Sequence, residues 1–278
     1  MHEIIGIAAG VPYVALPPEN AAGEAPLVVV WHMHDPPRTE TAMAAALPLN
    51  ALPAWRVYLG LPLSGSRLPE GGLDAFFTLG YEDAVLKVFD PTCRQAVDEF
   101  PAALAAIRDR LPVGDGPLGL VGGSIGAMVA LRVLAETDLQ IAATALVSPA
   151  IQLAAVVGAN ERRFNLTYPW TEQSRAVVQR LDFVARAGQI ATRDAATLLV
   201  VGELDDKEGI RVPAEHLWQV LSRQAPDRTA LTCIPEMRHA LAEEPGLRPA
   251  PQSTQAARVD TVVAGWLHRH LVGSKSGS

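Results

Sequence analysis

Residues 117–128 read PLGLVGGSIGAM, and this stretch decides the fold. The apolar run LGLVG at 118–122 leads into the motif GGSIG at 122–126, and the Ala-rich run AMVALRVLAE at 127–136 follows directly. The order predicts a β-strand, a tight turn and an α-helix. A serine on such a turn, in the pattern G-x-S-x-G, is typical of a nucleophile whose oxygen is held above the edge of a sheet. Ser124 is therefore the candidate nucleophile.

This turn has two alternative interpretations. A glycine-rich turn can carry a serine by chance, and the bare motif does not exclude that. A phosphate-binding loop is excluded in detail, because no lysine follows the glycines and their spacing is not G-x-G-x-x-G. The strand before the motif and the helix after it favour the nucleophile.

Short runs rich in Val, Leu and Ile alternate with longer Ala-rich stretches on both sides of this motif. Near-continuous apolar strands are typical of a parallel sheet that is covered by helices on both faces. The alternation predicts a doubly wound, mostly parallel α/β sheet. Strands are predicted at 27–32, 55–60, 118–122, 143–147, 197–202 and 229–234, and helices at 92–110, 125–136, 173–188, 213–224 and 254–272.

The remaining segments lack a clean strand or helix pattern. The opening segment, with Gly10 and Pro12 in a β-rich run, suits an antiparallel hairpin at the sheet edge. Residues 61–90 are rich in Gly, Pro and Ser and predict a long surface connection, after which Asp90 caps a helix that has Pro91 at its first position. We expect one domain over 1–272, a lid or pocket segment at 149–172, and a flexible tail at 273–278.

A serine hydroxyl becomes a good nucleophile when a histidine takes its proton and an acid orients that histidine. On this kind of sheet both partners should follow the carboxyl ends of later strands. His239 lies in a loop after the strand at 229–234 and is the candidate base. Asp205 is the preferred acid after the strand at 197–202, with Asp206 next and Glu203 third, because Glu203 lies too close to the strand end to turn.

The segments GGSIGA, VVGELDD and MRHAL resemble the α/β-hydrolase superfamily, and most nearly its dienelactone-hydrolase and prolyl-oligopeptidase-like esterase branches. The resemblance covers nearly the whole chain and implies an eight-stranded, mostly parallel sheet. Its pattern G-x-x-D matches residues 202–205 and favours Asp205 over Asp206. Dienelactone hydrolases carry cysteine where this chain has Ser124, so that specific activity is not expected.

The same resemblance implies an oxyanion hole built from two backbone N–H groups. Ile125, which follows the nucleophile, would supply one of them. The other would come from the loop WHMHDPP at 31–37, where relatives carry His-Gly before the donor. Aligning His-Gly with His34-Asp35 would place the donor on a proline, which has no N–H. The alternative alignment makes His34 the donor, with Met33 as the second candidate.

Three aromatic residues of the segment 149–172, namely Phe164, Tyr168 and Trp170, are candidates for the substrate pocket and equally for core anchoring. The run His32-Met33-His34-Asp35 contains metal-ligand residue types, but no further ligand cluster occurs elsewhere in the sequence. We therefore expect no metal and no cofactor.

Composition narrows the class of protein. The net charge of −7, without clustered Lys and Arg, argues against a nucleic-acid partner. The two cysteines form no disulfide framework, the N-terminus lacks the basic start of a signal peptide, and no apolar stretch is long enough to span a bilayer. We expect a cytoplasmic protein with no membrane partner, whose oligomeric state stays open.

Together these patterns predict a serine esterase that cleaves a small ester or acyl substrate through an acyl-enzyme, with Ser124, His239 and Asp205 as a catalytic triad. An acyltransferase, thioesterase or peptidase would use the same three residues. A catalytically silent protein that binds a ligand in the same pocket is the alternative from a different class.

Overall fold

The computed structural model describes residues 3–19 and 23–273. Within these ranges eight strands form one sheet in the order β1-β2-β4-β3-β5-β6-β7-β8. From β4 to β8 all neighbouring strands are parallel, whereas β1 and β2 run antiparallel to their neighbours. The predicted doubly wound, mostly parallel sheet is confirmed.

The strands are β1 Ile4–Ala8, β2 Val11–Leu16, β3 Leu27–Trp31, β4 Trp55–Leu59, β5 Leu118–Gly123, β6 Ile141–Val147, β7 Ala196–Gly202 and β8 Thr229–Ile234. The α-helices of the described residues are α1 Glu40–Ala46, α2 Gly72–Asp83, α3 Asp90–Arg110, α4 Ile125–Glu136, α5 Leu153–Phe164, α6 Glu172–Arg180, α7 Ala187–Ala191, α8 Val212–Gln224 and α9 Thr254–Leu267.

The central strands are apolar throughout because both of their faces are covered. In β3, Val29 and Trp31 join a core that they share with α3, α4 and α8, while Val28 and Val30 join a second core with α1 and α9. Side chains alternate between the two faces of a strand, so each face of β3 meets a different helical layer. This explains the continuous run LVVVW.

The first two strands form the predicted edge hairpin. Their turn consists of Ala9 and Gly10, both with positive φ (47° and 88°). Two central residues with positive φ are typical of the tight hairpin turns whose twist matches that of the flanking strands. The prediction of an antiparallel hairpin at the edge is confirmed.

The prediction of a surface connection over 61–90 is wrong in its second half. Glycine and proline cluster before residue 73, whereas α2 begins at Gly72 and ends at Asp83, and a π-helical turn over Ala84–Phe89 leads directly into α3. The cap is therefore Asp83, whose carboxylate accepts the Leu86 N–H at 2.9 Å, and Asp90 lies inside the helical run. The prediction that Asp90 caps the helix is wrong, because the chain is already helical before Asp90. Pro91 is tolerated because it lies in the first turn of α3.

The segment 149–172 contains α5 followed by an irregular stretch that leads into α6. The helix predicted at 173–188 is shorter, since α6 ends at Arg180 and α7 begins only at Ala187. The predicted tail at 273–278 lies outside the described residues except for Gly273. Among the helices of the described residues, none has the length and apolar character needed to cross a bilayer.

Candidate active site

Ser124 occupies the sharp turn between β5 and α4. Its backbone angles, φ 48° and ψ −115°, lie in a region that non-glycine residues rarely adopt, and such strain persists only where the surroundings fix the backbone. The Ser124 N–H donates to the Val147 carbonyl at 2.9 Å, and its own carbonyl accepts the Ala150 N–H at 3.2 Å. The end of β6 therefore holds the turn in place.

The glycines around Ser124 allow the strand and helix to approach closely. A Cβ atom on Gly122 would lie 2.3 Å from the Gly126 carbonyl oxygen, and one on Gly126 would lie 2.4 Å from the His32 carbonyl oxygen. Real Cβ atoms do not come this close to backbone atoms. Both glycines are thus required by packing, and the pattern G-x-S-x-G has a steric cause in this chain.

Three predicted residues form a hydrogen-bonded chain at the carboxyl ends of the strands. His239 Nε2 lies 2.9 Å from Ser124 Oγ, and His239 Nδ1 lies 2.8 Å from Asp205 Oδ1. Carboxylates accept only, so Nδ1 carries the proton toward Asp205 and Nε2 is left to accept the Ser124 hydroxyl proton. This is the arrangement in which an imidazole can act as a base toward a serine.

Asp205 is fixed by further hydrogen bonds on its other oxygen. Oδ2 accepts the Ser148 hydroxyl at 2.8 Å and the Gly202 N–H at 2.7 Å, and the side chain is completely buried. With the bond from His239, Asp205 accepts hydrogen bonds from three donors, which fix the orientation of its carboxylate.

The two competing acids point elsewhere. Asp206 accepts the Gly209 N–H at 2.7 Å and pairs with Arg162 at 2.8 Å. Glu203 accepts the N–H of Glu236 at 2.9 Å. Of the three candidate acids, the structure brings only Asp205 to His239.

The surroundings of His239 favour its protonated form. Burial lowers the pKa of the imidazole, but the hydrogen bond to Asp205 and the negative charges of Asp35 and Asp205 outweigh it, while Arg163 acts in the opposite direction. The net effect is a raised pKa. An imidazolium at this position is thereby stabilised.

The three backbone amides that are candidates for an oxyanion hole, those of Ile125, His34 and Met33, differ in their hydrogen bonds. The Met33 N–H donates to the Pro37 carbonyl at 3.3 Å, and the Met33 side chain is buried against Gly123. Over the described ranges, neither the Ile125 nor the His34 amide donates a hydrogen bond to another protein group. The geometry thus leaves Ile125 and His34 available and engages Met33.

Residues 32–38, which we name the oxyanion segment, are held by residues 235–247, the histidine loop. The Arg38 guanidinium is buried and donates to the His34 and Pro245 carbonyls and to the Glu244 carboxylate. The Arg38 N–H donates to the Gly246 carbonyl at 2.7 Å. The position of His34 therefore depends on the loop that carries His239.

The two histidines of the oxyanion segment are neutral side chains. Leu61 donates its N–H to His32 Nε2 at 3.0 Å, so the proton of His32 is on Nδ1, which donates to the Met33 carbonyl at 2.8 Å. Burial lowers the pKa of His32 to about 4 and that of His34 to about 3. In the described part of the chain, no group of three or more His, Cys, Asp or Glu side chains could hold a metal ion.

The three candidate pocket residues separate into two environments. Tyr168 is buried, donates its hydroxyl to Asp83 and packs edge to face on Trp170 with 4.7 Å between ring centroids. These contacts anchor the irregular stretch before α6. Phe164 is 49% exposed and lies beside Arg163, which reaches Asp35 near His239.

Sequence reasoning assigned no role beside His239 and Asp205 to two polar residues that lie there. Asp35 was considered as a metal-ligand type and in the alignment of the oxyanion loop, yet its Oδ2 lies 3.7 Å from His239 Nε2. Ser148 was not considered, yet it binds Asp205. Both residues follow the end of a buried parallel strand, the same signal that drew attention to Asp205.

Comparison with known proteins gives a likeness in structure only. No protein-family model matches this chain, and no curated protein matches it significantly. A Thermus thermophilus protein of solved structure, TT1662, superposes with a TM-score of 0.63 at 17% identity, over 96% of this chain and 99% of its own.

Two further solved structures are those of an esterase and a peptidase. A carboxyl esterase 2 from Tuber melanosporum gives a TM-score of 0.63 at 16% identity, over 97% of this chain and 86% of its own. A puromycin-hydrolysing peptidase of Mycobacterium tuberculosis gives 0.65 at 16% identity, over 97% of this chain, which spans 40% of that peptidase. Identities this low show a shared fold and leave the activity open.

Proposed function

We propose that this chain, which has the α/β-hydrolase fold, is a serine hydrolase that cleaves a carboxylic ester through an acyl-enzyme intermediate. One observation carries the proposal: His239 lies within hydrogen-bonding distance of both Ser124 Oγ (2.9 Å) and Asp205 Oδ1 (2.8 Å). Esterases and peptidases among the structural neighbours support the same reaction class.

In the first half of the reaction, Ser124 Oγ attacks the ester carbonyl carbon while its proton moves to His239 Nε2. The carbonyl oxygen becomes an oxyanion, and the Ile125 and His34 amides donate to it. The carbon–oxygen bond to the alcohol then breaks, and the alcohol leaves with the proton from Nε2. The acyl group stays on Ser124.

In the second half, water attacks the acyl carbon and gives one proton to Nε2. The bond to Ser124 Oγ breaks, Oγ takes that proton back, and the carboxylic acid leaves. Asp205 accepts the hydrogen bond from Nδ1–H throughout, which keeps the imidazole in the required tautomer. The sum is ester plus water giving acid plus alcohol.

The first test is Ser124→Ala, assayed on p-nitrophenyl acetate and by labelling with a fluorophosphonate probe. We expect labelling to disappear and kcat to fall by roughly 10⁴-fold or more, because triad members act as a unit. Mass spectrometry of the labelled wild-type protein should locate the adduct on Ser124.

Ser222→Ala is the matched control, since Ser222 lies on α8 and its hydroxyl bonds only its own helix at Gln219. We expect that variant to label and turn over like wild type. A wild-type protein that is neither labelled nor active would favour the catalytically silent ligand-binding alternative. Retained activity in Ser124→Ala would exclude Ser124 as the nucleophile.

A further inference from the structure

Asp35 lies against the reacting atoms, although ester hydrolysis by the triad gives it no task. Its Oδ2 is 3.7 Å from His239 Nε2, and its side chain is 34% exposed. The backbone around it is fixed, because the Pro36 carbonyl accepts the Leu241 N–H at 3.0 Å and Gly246 packs on the Pro36 ring. A charged group is thus held at a set position beside the nucleophile.

The position of Asp35 identifies the part of the substrate that it would meet. In the proposed reaction, Nε2 delivers its proton to the leaving oxygen, so that oxygen must come within hydrogen-bonding distance of Nε2. A carboxylate 3.7 Å from the same nitrogen therefore borders the leaving group. It disfavours a negative charge there and favours a positive one.

A side-chain cation already lies next to Asp35. Arg163 Nη1 is 4.0 Å from Asp35 Oδ1, and the Arg163 guanidinium carbon is 5.2 Å from the centre of the Phe164 ring. A carboxylate and an aromatic face together form a good environment for an organic cation. The guanidinium thus has the surroundings that a cation from a substrate would have.

The Arg163 contact is weak enough to be replaced. Arg163 is 67% exposed in its side chain, and an exposed pair at 4.0 Å contributes little stability. The neighbouring Arg162 is engaged more closely, at 2.8 Å from Asp206 and 3.2 Å from Glu208. Arg163 can therefore move aside while Arg162 keeps α5 attached to the segment after β7.

We propose that Asp35 and the exposed face of Phe164 form a subsite for a positively charged leaving group, so that esters of amino alcohols, including quaternary ammonium alcohols, are the preferred substrate class. The inference rests on the proposed hydrolase function. Water attack on the acyl-enzyme is unchanged, and the amino alcohol leaves with its positive charge.

The test compares acetylcholine with 3,3-dimethylbutyl acetate, an uncharged ester of the same shape, by acid release at constant pH. Wild type should hydrolyse the cationic ester with a kcat/KM about tenfold higher, as expected for one partly solvated ion pair together with one cation–π contact. Asp35→Asn should bring the two esters within about twofold of each other. Phe164→Ala should lower the value for acetylcholine more than the value for the neutral ester, because only the cation loses a cation–π contact.

Two further variants sharpen the comparison. Asp206→Asn removes a negative charge from a neighbouring loop without touching His239 and should keep the preference. Arg163→Ala removes the resident cation and should increase the preference. An unchanged preference in Asp35→Asn would overturn the subsite.

The outcome separates the two proposals. Hydrolysis of the neutral ester without preference for acetylcholine overturns the cation subsite and leaves the serine hydrolase standing. Failure to hydrolyse either ester or p-nitrophenyl acetate, together with no fluorophosphonate labelling, overturns both. Hydrolysis of p-nitrophenyl acetate with acetylcholine rejected overturns the subsite alone.

Discussion

His239 has charged neighbours from three separate parts of the chain: Asp205 after β7, Asp35 after β3 and Arg163 on α5. The two carboxylates flank different ring nitrogens. Asp205 orients the ring, whereas Asp35 lies next to the nitrogen that exchanges a proton with Ser124. A second carboxylate at that nitrogen stabilises the imidazolium and at the same time disfavours the nearby oxyanion.

The pH dependence of kcat/KM should report this second carboxylate. His239 must be neutral to accept the serine proton, so activity is lost as pH falls through its pKa. Because that pKa is raised, the acid limb should lie above pH 6.5, the usual value for histidine. Asp35→Asn removes one of the causes and should shift the limb to lower pH, measured with an uncharged ester.

An uncharged ester is needed so that substrate binding does not change with the variant. Asp206→Asn again serves as the control and should leave the limb in place, because Asp206 pairs with Arg162. An acid limb at the same pH in wild type and Asp35→Asn would mean that Asp35 does not act on the imidazole.

At this scale the sequence predicted that Ser124, His239 and Asp205 come together, and it missed their neighbours. Ser124, Asp205 and His239 each follow a recognisable strand, and their chain order restricts the choice. The contact of Asp35 with His239 joins opposite ends of the chain and depends on how two loops turn. No local pattern encodes such a turn, so the sequence could offer Asp35 only as a residue type.

The strand β5, the turn at Ser124 and the helix α4 form the element on which the site is built. Its geometry depends on the close approach of α4 to the end of β3, where Gly126 faces the carbonyl groups of Trp31 and His32. In the proposed reaction the first turn of α4 would direct its N–H groups toward the developing oxyanion. A shift of this helix would move the Ile125 amide with it.

Gly126→Ala should therefore destabilise the fold. A Cβ there would lie 2.4 Å and 2.5 Å from two backbone carbonyl oxygens, and neither can move without displacing β3. Overpacking of this kind costs about 3 kcal/mol, which corresponds to a decrease in Tm of roughly 10 °C. Differential scanning calorimetry measures the change.

Gly265→Ala is the matched control within α9. Nothing lies within 4 Å of the Cβ that it would add, and alanine is the better helix former by about 1 kcal/mol. We expect its Tm to equal or exceed that of wild type. Equal losses in both variants would show that the cause is glycine replacement in general and that the contact with β3 is unimportant.

Elements were predicted well where hydrophobic runs are long and less well where they are short or mixed. The strands at the centre of the sheet and α4 lie within a few residues of their predicted bounds. Helix α2 was missed because its start is marked by Gly71 and Gly72, both with positive φ, and because its side chains are mostly exposed or only partly buried. With one buried residue, Phe76, it has no strong apolar period.

At the scale of the whole molecule, the oxyanion segment after β3 contacts the histidine loop after β8. This segment also contains two imidazoles that are neutral in the folded state, His32 and His34. Unfolding releases them into water, where each takes up a proton below about pH 6.5. The free energy of unfolding therefore depends on pH through groups that take no part in the proposed reaction.

The sign of that dependence follows from proton uptake. Between about pH 6.5 and pH 4 the unfolded chain binds more protons at His32 and His34 than the folded chain does, so these groups lower stability as pH falls. Each histidine contributes about 1.4 kcal/mol per pH unit over that interval.

His34→Phe should remove the part of the pH dependence of the free energy of unfolding that comes from His34. In the described part of the chain His34 Nε2 is buried without a hydrogen-bond partner, and its ring packs on Phe76 with 5.0 Å between centroids. A small cavity is lined by both rings. Urea unfolding at several pH values should give a shallower slope for the variant and higher stability near pH 5. A slope equal to that of wild type would contradict the prediction.

The hydrogen bonds from Arg38 to the histidine loop determine when during translation the site can form. Arg38 precedes its partners Glu244 and Pro245 by 206 and 207 residues, so it is synthesised well before them. A ribosome-bound chain that has not yet released residues 235–247 has neither the His239 imidazole nor a fixed oxyanion donor beside Ser124. The proposed reaction needs both, so partly translated chains cannot attack cellular esters until the histidine loop has emerged and docked.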